Sequence, residues 1–506
     1  MLRNSGYVTW RSSEEDVRPH PNSVCEPINL AATQQPDLTY NLRGPPAIAL
    51  STLQTETIRR AMQSFNDRRA FLVGDATGVG KGRTIAGLIA EACHVDKTTR
   101  VVWVSGNMRL ENDARAELSI VDGPVFTDVV RFSSYTSMQN AQNAEEIFEW
   151  LSSSTFPLLV LDECHSLRNA KGIVPRTLEA LMCRLESKCT LRTLYSSATA
   201  CSLPRHMAYL GRLGLFGTPE SPFSTADELI KTVRGHGASL MELMAIDLRS
   251  RGAYVARQLN FDRVKVSHET TELTREQQRV YDACGQALRD AELFGGSTHQ
   301  SFFQRLVTAF KADATIALVE KHVAAGSSVV ISLVSTGEAS LRRHGDMPEP
   351  TGEDLLAQYG VNTVDGLPMN PLDKLVTHFG EKGIAELTGR RVRPVRSGSK
   401  WCLVKTPNIH DEAAAFRRGD KHVAVLSRAG GTGISLHDVD DGRPRVHIIL
   451  EIPWSAEDLL QQMGRTHRSS SRHPPHYILV TSNVPAEARF ASSIVQKLQS
   501  FGALVK

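Results

Sequence analysis

The sequence lacks the patterns that would place the chain in a membrane or an oxidising compartment. Its eight cysteines are scattered, with no CxxC pair and no Cys/His cluster at zinc spacing, so we expect reduced thiols and neither a disulfide framework nor structural zinc. No apolar run approaches the roughly 18 residues that a spanning helix needs. The first thirty residues contain no apolar signal-peptide core. These absences predict a soluble, intracellular protein that makes no use of a membrane.

The chain also has little net charge. Lys and Arg number 58 against 55 Asp and Glu, which leaves a formal charge of +3. A basic surface for nucleic acid must therefore be local, because the whole molecule has no strong field. At 506 residues the chain exceeds what one hydrophobic core usually supports, so two or three domains are expected.

Short apolar runs alternate with stretches of helical spacing, which is typical of buried parallel strands in an α/β fold. In the first half these runs are 70–73, 100–105, 157–163 and 193–199; in the second half they are 327–335, 422–427, 445–453 and 476–482. Two doubly wound lobes follow from this alternation. The predicted boundaries are an irregular lead-in (1–45), lobe 1 (46–215), a helical connector (216–265) and lobe 2 (266–506), with an insertion at about 345–418 that is rich in Pro, Gly and Arg.

The strongest local signal is the glycine-rich stretch GDATGVGKG (74–82), between an apolar run and a helical one. Such glycines let backbone N–H groups surround phosphate oxygens, and Lys81 can reach the β- and γ-phosphates. A plain glycine turn is the alternative. The usual Ser or Thr after the lysine is replaced by Gly82, so either Thr84 reaches back to Mg²⁺ or water completes its shell.

The second signal is LVLDECH (159–165), in which an apolar run delivers two adjacent carboxylates. At the carboxyl end of a parallel strand, Asp162 would hold Mg²⁺ and Glu163 would accept a proton from the attacking water. A solvated acidic turn is the alternative. The position of the pair, about 80 residues after the glycine-rich loop, favours catalysis.

The third signal is QQMGRTHR (461–468). At helical spacing Gln461, Arg465 and Arg468 would share one face, and the two guanidinium groups could neutralise charge on a transferring phosphoryl group. A solvated basic helix face is the alternative. The position after two apolar runs of the second lobe favours the catalytic interpretation.

Weaker candidates complete the predicted site. Each has a structural alternative: an ordinary strand end, a tight turn, an exposed helix residue or a solvated basic loop. The residues expected to bind ATP are Gln54, Thr77, Gly78, Val79, Gly80, Lys81, Gly82, Arg83, Thr84 and Gly433. Those expected to contact nucleic acid are Ser105, Gly106, Ser335, Thr336, Gly430, Gly431, Thr432, Arg390, Arg391, Arg393 and Arg396. Those expected to couple the two lobes are His165, Ser197 and Thr199.

The ordered set of glycine-rich loop, DECH, SAT and QxxGRxxR resembles a superfamily-two helicase core. The surrounding sequence, including GDATGVGKGRTIAG, WVSGNMRLENDA, AYVARQLNF, ELTGRR and ILEIPWSAEDLLQQMGRTHRS, is similar to the strawberry notch family from about residue 7 onward. This resemblance implies an α/β fold of two tandem RecA-like lobes and an ATP- and Mg²⁺-dependent motor. It further implies action on nucleic acid in transcription or chromatin regulation, with transcription machinery as a partner.

The function expected from these features is an ATP-dependent helicase or translocase, with DNA preferred over RNA. Two alternatives stay open: an RNA helicase, and an ATP-gated scaffold that hydrolyses little. The resemblance implies a nuclear location in a eukaryotic host, or a viral factory or virion if a virus encodes the chain, which the compact length favours.

Overall fold

The computed structural model describes residues 26–27, 37–44, 50–122, 128–169, 172–201, 203–236, 238–259, 263–290, 296–334, 364–397, 400–427, 434–438 and 440–492. The chain divides into two compact units at the boundary between Asn260 and Phe261. No helix in the described ranges has both the length and the apolar character that a bilayer crossing requires.

The first unit is built on a parallel six-stranded sheet. Its strands are β2 (Phe71–Val73), β3 (Arg100–Ser105), β4 (Val130–Ser134), β5 (Pro157–Asp162), β6 (Arg192–Ser196) and β7 (Tyr254–Val255), in the spatial order β4-β3-β5-β6-β2-β7. A short ladder pairs β1 (Glu26–Pro27) with β8 (Arg257–Gln258) in antiparallel fashion. The strand that precedes the glycine-rich loop, β2, therefore lies inside the sheet, between β6 and β7.

Helices cover both faces of this sheet. They are α1 (Thr52–Asn66), α2 (Lys81–Val95), α3 (Glu111–Asp122), α4 (Ala141–Ser152), α5 (Ile173–Glu186), α6 (Ala226–His236) and α7 (Ala238–Ser250), with 3₁₀ turns at Met108–Leu110, Ser137–Gln139, Cys164–Leu167 and Pro204–Leu213. Strand β5 shows why: Leu158 and Val160 belong to one buried cluster, whereas Leu159 and Leu161 belong to another. Since successive side chains point to opposite faces, a continuous apolar strand needs cover on both.

The second unit repeats this architecture. Its strands are β9 (Lys265–Thr271), β10 (Ser328–Leu333), β11 (Ile384–Leu387), β14 (Val423–Ser427), β15 (Arg445–Ile449) and β16 (His476–Ser482), all parallel in the order β11-β14-β10-β15-β16-β9. Its helices are α8 (Arg275–Asp290), α9 (Gly296–Phe310), α10 (Ala312–Ala324), α11 (Pro371–Gly383), α12 (Ile409–Arg418) and α13 (Ala456–Met463). A separate antiparallel hairpin joins β12 (Val392–Ser397) to β13 (Lys400–Lys405).

Two predicted segments differ from the structure. The expected helical connector (216–265) belongs to the first unit up to residue 259, because β7 pairs with β2 and adds a strand to the sheet. The expected insertion (345–418) is described from residue 364 onward, where α11 and β11 continue the α/β alternation as helix and edge strand. Within that described stretch, the hairpin β12–β13 is the part that departs from the alternation.

Candidate functional site

The glycine-rich loop joins β2 to α2 in the way that phosphate binding requires. Gly78 and Gly80 have φ values of 90° and 103°, a region that residues with a Cβ rarely adopt. A Cβ on Gly80 would also lie 2.5 Å from Nε2 of Gln54. Lys81 is the first residue of α2, and its Nζ donates to the carbonyl of Asp75 at 2.9 Å. The loop therefore offers a glycine cradle, a helix N-terminus and an ammonium group, which together fit a phosphate chain.

Gln54 braces this loop from α1. Its Nε2 donates to the Gly80 carbonyl at 3.2 Å, and its Oε1 accepts from the Ser51 N–H at 2.9 Å in a capping box. The side chain is buried, and not exposed as a lone glutamine on a helix would suggest. Binding of ATP by Gln54 stays a prediction, and its observed contacts make it a support for the loop.

Arg257 clamps the loop from the other side, and no sequence pattern indicated it. Its Nε and Nη2 donate to the two carboxylate oxygens of Asp75 at 3.0 and 2.7 Å, and Nη1 donates to the Leu53 carbonyl at 2.6 Å. Nη2 also contacts Oγ1 of Thr57, and the Ala76 N–H donates to the Arg257 carbonyl at 2.8 Å. Both members of the ion pair are fully buried. No local signal could reveal it, because 182 residues separate the partners.

The paired carboxylates lie at the carboxyl end of β5. Ser196 Oγ donates to Asp162 at 3.0 Å, and Ser105 Oγ makes a longer contact of 3.4 Å to the other carboxylate oxygen. Glu163 has φ 49° and ψ 45°, in the left-handed region that non-glycine residues avoid. Its carboxylate lies 3.2 Å from Nδ1 of His165. Such strain is typical of functional positions and sets Glu163 apart from the rest of the strand.

The electrostatics of this pair favour a cation. Burial, together with the neighbouring Glu163 carboxylate, raises the pKa of Asp162 to about 6, although Lys81 and the Ser196 hydroxyl oppose the shift. Because β5, β6 and β2 are adjacent parallel strands, the carboxylates after β5 and the glycine-rich loop after β2 leave the same edge of the first sheet. Two crowded carboxylates beside a phosphate cradle are the oxygen donors that Mg²⁺ prefers.

The three predicted coupling residues come together. His165 Nδ1 lies 3.0 Å from Ser197 Oγ, and the Thr199 N–H donates to the same hydroxyl at 3.2 Å. Arg168 Nη2 donates to the Thr199 carbonyl. The strand end after β6 is thus bonded directly to the turn that carries Glu163, and the coupling role itself stays a prediction.

Other predicted ATP contacts are engaged elsewhere. The Thr84 hydroxyl is buried and donates to the Gly80 carbonyl at 3.3 Å inside α2, so the geometry does not support its predicted role as a Mg²⁺ ligand. Arg83 pairs with Glu117 of α3, next to Gly82. Val79 is buried in a small apolar cluster with Leu259, whereas Thr77 is half-buried.

Ser105 and Gly106, both predicted to contact nucleic acid, lie in different environments. Ser105 is fully buried, and its hydroxyl faces Asp162, so it is corrected from a surface contact to a neighbour of the carboxylates. Gly106 is exposed, and among the described residues beyond its own chain neighbours none has an atom within 4 Å of the position that its Cβ would take. Backbone contact to a nucleic acid at Gly106 therefore stays a prediction.

The predicted arginine face is not a helix face. Helix α13 ends at Met463, so Gln461 lies in the helix, whereas Arg465 lies in the turn that follows and Arg468 in the irregular segment beyond it. The Leu436 N–H donates to the Arg465 carbonyl at 2.8 Å, and Arg465 Nη1 contacts the Ile434 carbonyl at 3.5 Å. After Gly464, which keeps a helical backbone conformation, the bonds shorten to the i to i−3 pattern of a turn: the N–H groups of Arg465 and Thr466 donate to the carbonyls of Gln462 and Met463 at 3.0 and 3.2 Å.

For two of the four arginines predicted to contact nucleic acid, Arg390 and Arg393, the prediction is wrong because both are buried beside acidic residues. Arg390 is buried and pairs with Asp373 of α11 and Glu386 of β11. Arg393 is also buried and pairs with Glu381 at 2.6 Å. The segment has no acid of its own, but the preceding helix and strand supply three. Arg391 is exposed, and its role stays a prediction.

Some predicted residues lie outside the described part of the chain. They are Ser335, Thr336, Gly430, Gly431, Thr432, Gly433 and the side chain of Arg396.

Two family models match the chain. Residues 19–145 and 122–283 match "P-loop containing NTP hydrolase pore-1", and residues 370–506 match the "C-terminal domain on Strawberry notch homologue". Together with the two parallel sheets, these matches confirm the predicted fold class of two tandem RecA-like lobes and identify a nucleotide-binding P-loop.

Curated relatives match nearly the whole chain. The chain is 27% identical to strawberry notch homolog 2 of Mus musculus (98% of this chain, 50% of that protein) and 30% identical to strawberry notch of Drosophila melanogaster (98% and 51%). It is 26% identical to FORGETTER 1 of Arabidopsis thaliana (96% and 56%). The chain thus spans about half the length of the curated relatives it matches.

Two solved structures are similar at 13% identity. One is the DUF1998 helicase MrfA bound to DNA (TM-score 0.47, 97% of this chain and 56% of that chain). The other is the Sulfolobus solfataricus SWI2/SNF2 ATPase core in complex with dsDNA (TM-score 0.35, 93% and 94%). At these scores neither likeness carries an inference about this chain. The two family models and the named relatives do, and the chain belongs to the strawberry notch family of helicase-like P-loop NTP hydrolases.

Proposed function

We propose that this chain is a nucleic-acid-dependent ATPase that works as a helicase or translocase, with DNA as the preferred substrate. The observation that carries the proposal lies within the first unit. The glycine-rich loop with Lys81 follows β2 and the carboxylate pair follows β5, and these parallel strands flank β6, so phosphate and metal donors leave the same edge of the sheet. Family membership supports nucleotide hydrolysis, and the nucleic-acid substrate is our inference.

Each residue of the first unit has a distinct proposed task. The backbone at Gly78 and Gly80 and the ammonium of Lys81 hold the β- and γ-phosphates of ATP. Asp162 holds Mg²⁺, which neutralises phosphate charge when bound. Glu163 accepts a proton from the attacking water, and His165 orients its carboxylate from 3.2 Å.

The second unit is proposed to supply charge stabilisation. Arg465 and Arg468 neutralise the negative charge that develops on the transferring phosphoryl group. Arg465 is bonded to Ile434 and Leu436, and Ser470, two residues after Arg468, lies 2.7 Å from His437. These partners directly follow the glycine-rich stretch that is expected to contact nucleic acid. Nucleic-acid contact would then change the position of the arginines, and this is our account of stimulated hydrolysis. Gln461 is proposed to act together with the two arginines. The contact between His165 and Ser197 is proposed to couple the carboxylates to nucleic-acid binding.

The test measures ATP hydrolysis with single-stranded DNA, duplex DNA and RNA at two stated salt concentrations. We expect stimulation by DNA that weakens at higher salt, because phosphate contacts release counterions. Lys81→Ala should abolish hydrolysis, and Glu163→Gln should retain ATP binding while turnover falls by roughly 10²–10⁴. The matched control is Arg115→Ala, which removes an exposed cation of α3 and should leave hydrolysis unchanged.

Each other outcome rejects a stated part of the proposal. Hydrolysis at the wild-type rate by folded Lys81→Ala would remove the loop from the active site. ATP binding with negligible hydrolysis under every condition would favour the scaffold alternative. Stimulation by RNA alone would keep the motor and replace its substrate.

A further inference from the structure

A buried histidine connects the segment that carries Arg465 and Arg468 to the centre of the second sheet. His447, in the middle of β15, is fully buried. Its Nε2 lies 2.6 Å from Ser332 Oγ of β10, and its Nδ1 lies 3.0 Å from Thr466 Oγ1. Thr466 follows Arg465 directly and precedes Arg468 by two residues.

The hydrogen bonds have one consistent direction. We assign the Thr466 hydroxyl hydrogen to the Met463 carbonyl at 3.2 Å, since the Tyr477 hydroxyl is farther away at 3.5 Å; with that assignment Oγ1 accepts from Nδ1–H of His447. Nε2 of His447 then accepts from the Ser332 hydroxyl at 2.6 Å. Burial lowers the pKa of His447 to about 3, so the ring is neutral and each nitrogen has one role.

Tyr477 of β16 completes the support. Its hydroxyl donates to the same Met463 carbonyl at 2.8 Å. The last carbonyl of α13 is thereby held by two side chains from different elements, although the helix itself stops there. The same carbonyl accepts from the N–H groups of Thr466 and His467 at 3.2 and 3.3 Å, so the two side chains reinforce a turn that its own backbone bonds close.

We infer that His447 and Thr466 are positioning residues, which hold Arg465 and Arg468 at the geometry that hydrolysis requires. The inference rests on the proposed function of the two arginines. A guanidinium group lies at the end of a long side chain, so a small shift of its backbone displaces the charge substantially. Stabilisation of a developing charge depends on fixed, preorganised donors, and misplacement by about 1 Å can cost roughly 10²-fold in rate.

The experiment compares two substitutions at one residue with a matched substitution elsewhere. Thr466→Val removes the hydroxyl at nearly constant volume, whereas Thr466→Ser keeps it. The control is Thr315→Val in α10, where an equally buried hydroxyl donates to the Lys311 carbonyl at 3.0 Å. For each variant, kcat and KM for ATP hydrolysis are measured with saturating DNA, together with the unfolding temperature.

We expect Thr466→Val to lower kcat by about tenfold or more while the KM for ATP is unchanged, because ground-state binding lies in the first unit. Thr466→Ser and Thr315→Val should keep kcat within about twofold of wild type. Equal kcat values for Thr466→Val and Thr315→Val would overturn the inference. If Thr466→Val does not fold, Ser332→Ala takes its place, because it removes the hydroxyl that bonds Nε2 of His447. Its kcat is then compared with that of Thr315→Val, and equal values would overturn the inference.

Arg465→Ala and Arg468→Ala separate this inference from the proposed function. If both lower kcat by roughly 10³ while Thr466→Val does not, only the positioning role fails. If both hydrolyse ATP at the wild-type rate, the proposed role of the arginines fails instead.

Discussion

Glu163 combines a catalytic side chain with a strained backbone. Because φ is 49°, its Cβ is crowded, and glycine would relieve that strain. We predict that Glu163→Gly has a free energy of unfolding about 1 kcal/mol higher than Glu163→Gln, measured by denaturant titration. Both variants lack the carboxylate, so both should lose turnover. The difference between their free energies of unfolding therefore measures the backbone strain at this position.

Glu179 provides a control of opposite sign. It lies inside α5, where glycine weakens a helix, so Glu179→Gly should be less stable than Glu179→Gln by roughly 0.5–1 kcal/mol. If glycine destabilises both positions alike, the backbone at Glu163 stores no strain.

The Arg257 clamp depends on the shape of the guanidinium group as well as its charge. Lysine cannot form the two-pronged contact with Asp75, and it would leave buried acceptors unpaired. We predict that Arg257→Lys lowers the free energy of unfolding by about 2 kcal/mol. It should also raise the KM for ATP, since the carbonyl of Asp75 binds Lys81.

Arg69→Lys is the matched control, because Arg69 and Asp67 form an exposed pair at 2.8 Å. Its effect on the free energy of unfolding should stay below about 0.5 kcal/mol, as is usual for exposed pairs. A similar small effect at Arg257 would mean that the clamp contributes no more than a surface contact.

At the scale of elements, the second unit holds two histidines in their neutral form. Burial lowers the pKa of His447 to about 3, and burial with the nearby Arg468 lowers that of His437 to about 4. Below a pH of about 6.5 the unfolded chain therefore binds protons that the folded chain refuses. The free energy of unfolding should fall with decreasing pH between about 6.5 and 4, by up to roughly 1.4 kcal/mol per pH unit for each histidine.

His447→Gln should reduce the dependence of the free energy of unfolding on pH by the part that His447 contributes. The measurement is urea unfolding at closely spaced pH values across that window. His410→Gln, at an exposed site in α12, is the control and should leave the slope unchanged. Identical slopes for wild type and His447→Gln would contradict the burial of a neutral ring at this position.

The elements that sequence patterns predicted are those buried on both faces. Strands β3, β5, β10 and β15 are continuous apolar runs, and they were predicted because burial on both sides leaves no polar alternation. Strand β9 escaped prediction, since its sequence KVSHETT is polar and largely exposed at the edge of the sheet. Edge strands carry a weak apolar signal because only part of their surface is covered.

At the scale of the whole molecule, contacts between distant residues set the limit of prediction. The glycine-rich loop and the DECH pair were found because each motif is contiguous. Arg390 was assigned to a phosphate surface although one partner, Glu386, lies only four residues before it; the other, Asp373, lies 17 residues away in another element. Local spacing cannot show which acid will meet which base, so a basic run and a buried ion-pair cluster look alike in the sequence.

The position of β2 inside the first sheet has a consequence for biosynthesis. Its two neighbours, β6 and β7, both follow it in the chain, and Arg257 is synthesised 182 residues after its partner Asp75. At the ribosome's pace of about 5–20 residues per second, the nascent loop waits roughly 10–35 s for its clamp. For about the first two-thirds of that interval, until β6 (Arg192–Ser196) is made, the apolar strand Phe71–Val73 has neither lateral partner, which leaves its backbone groups unpaired on the growing chain.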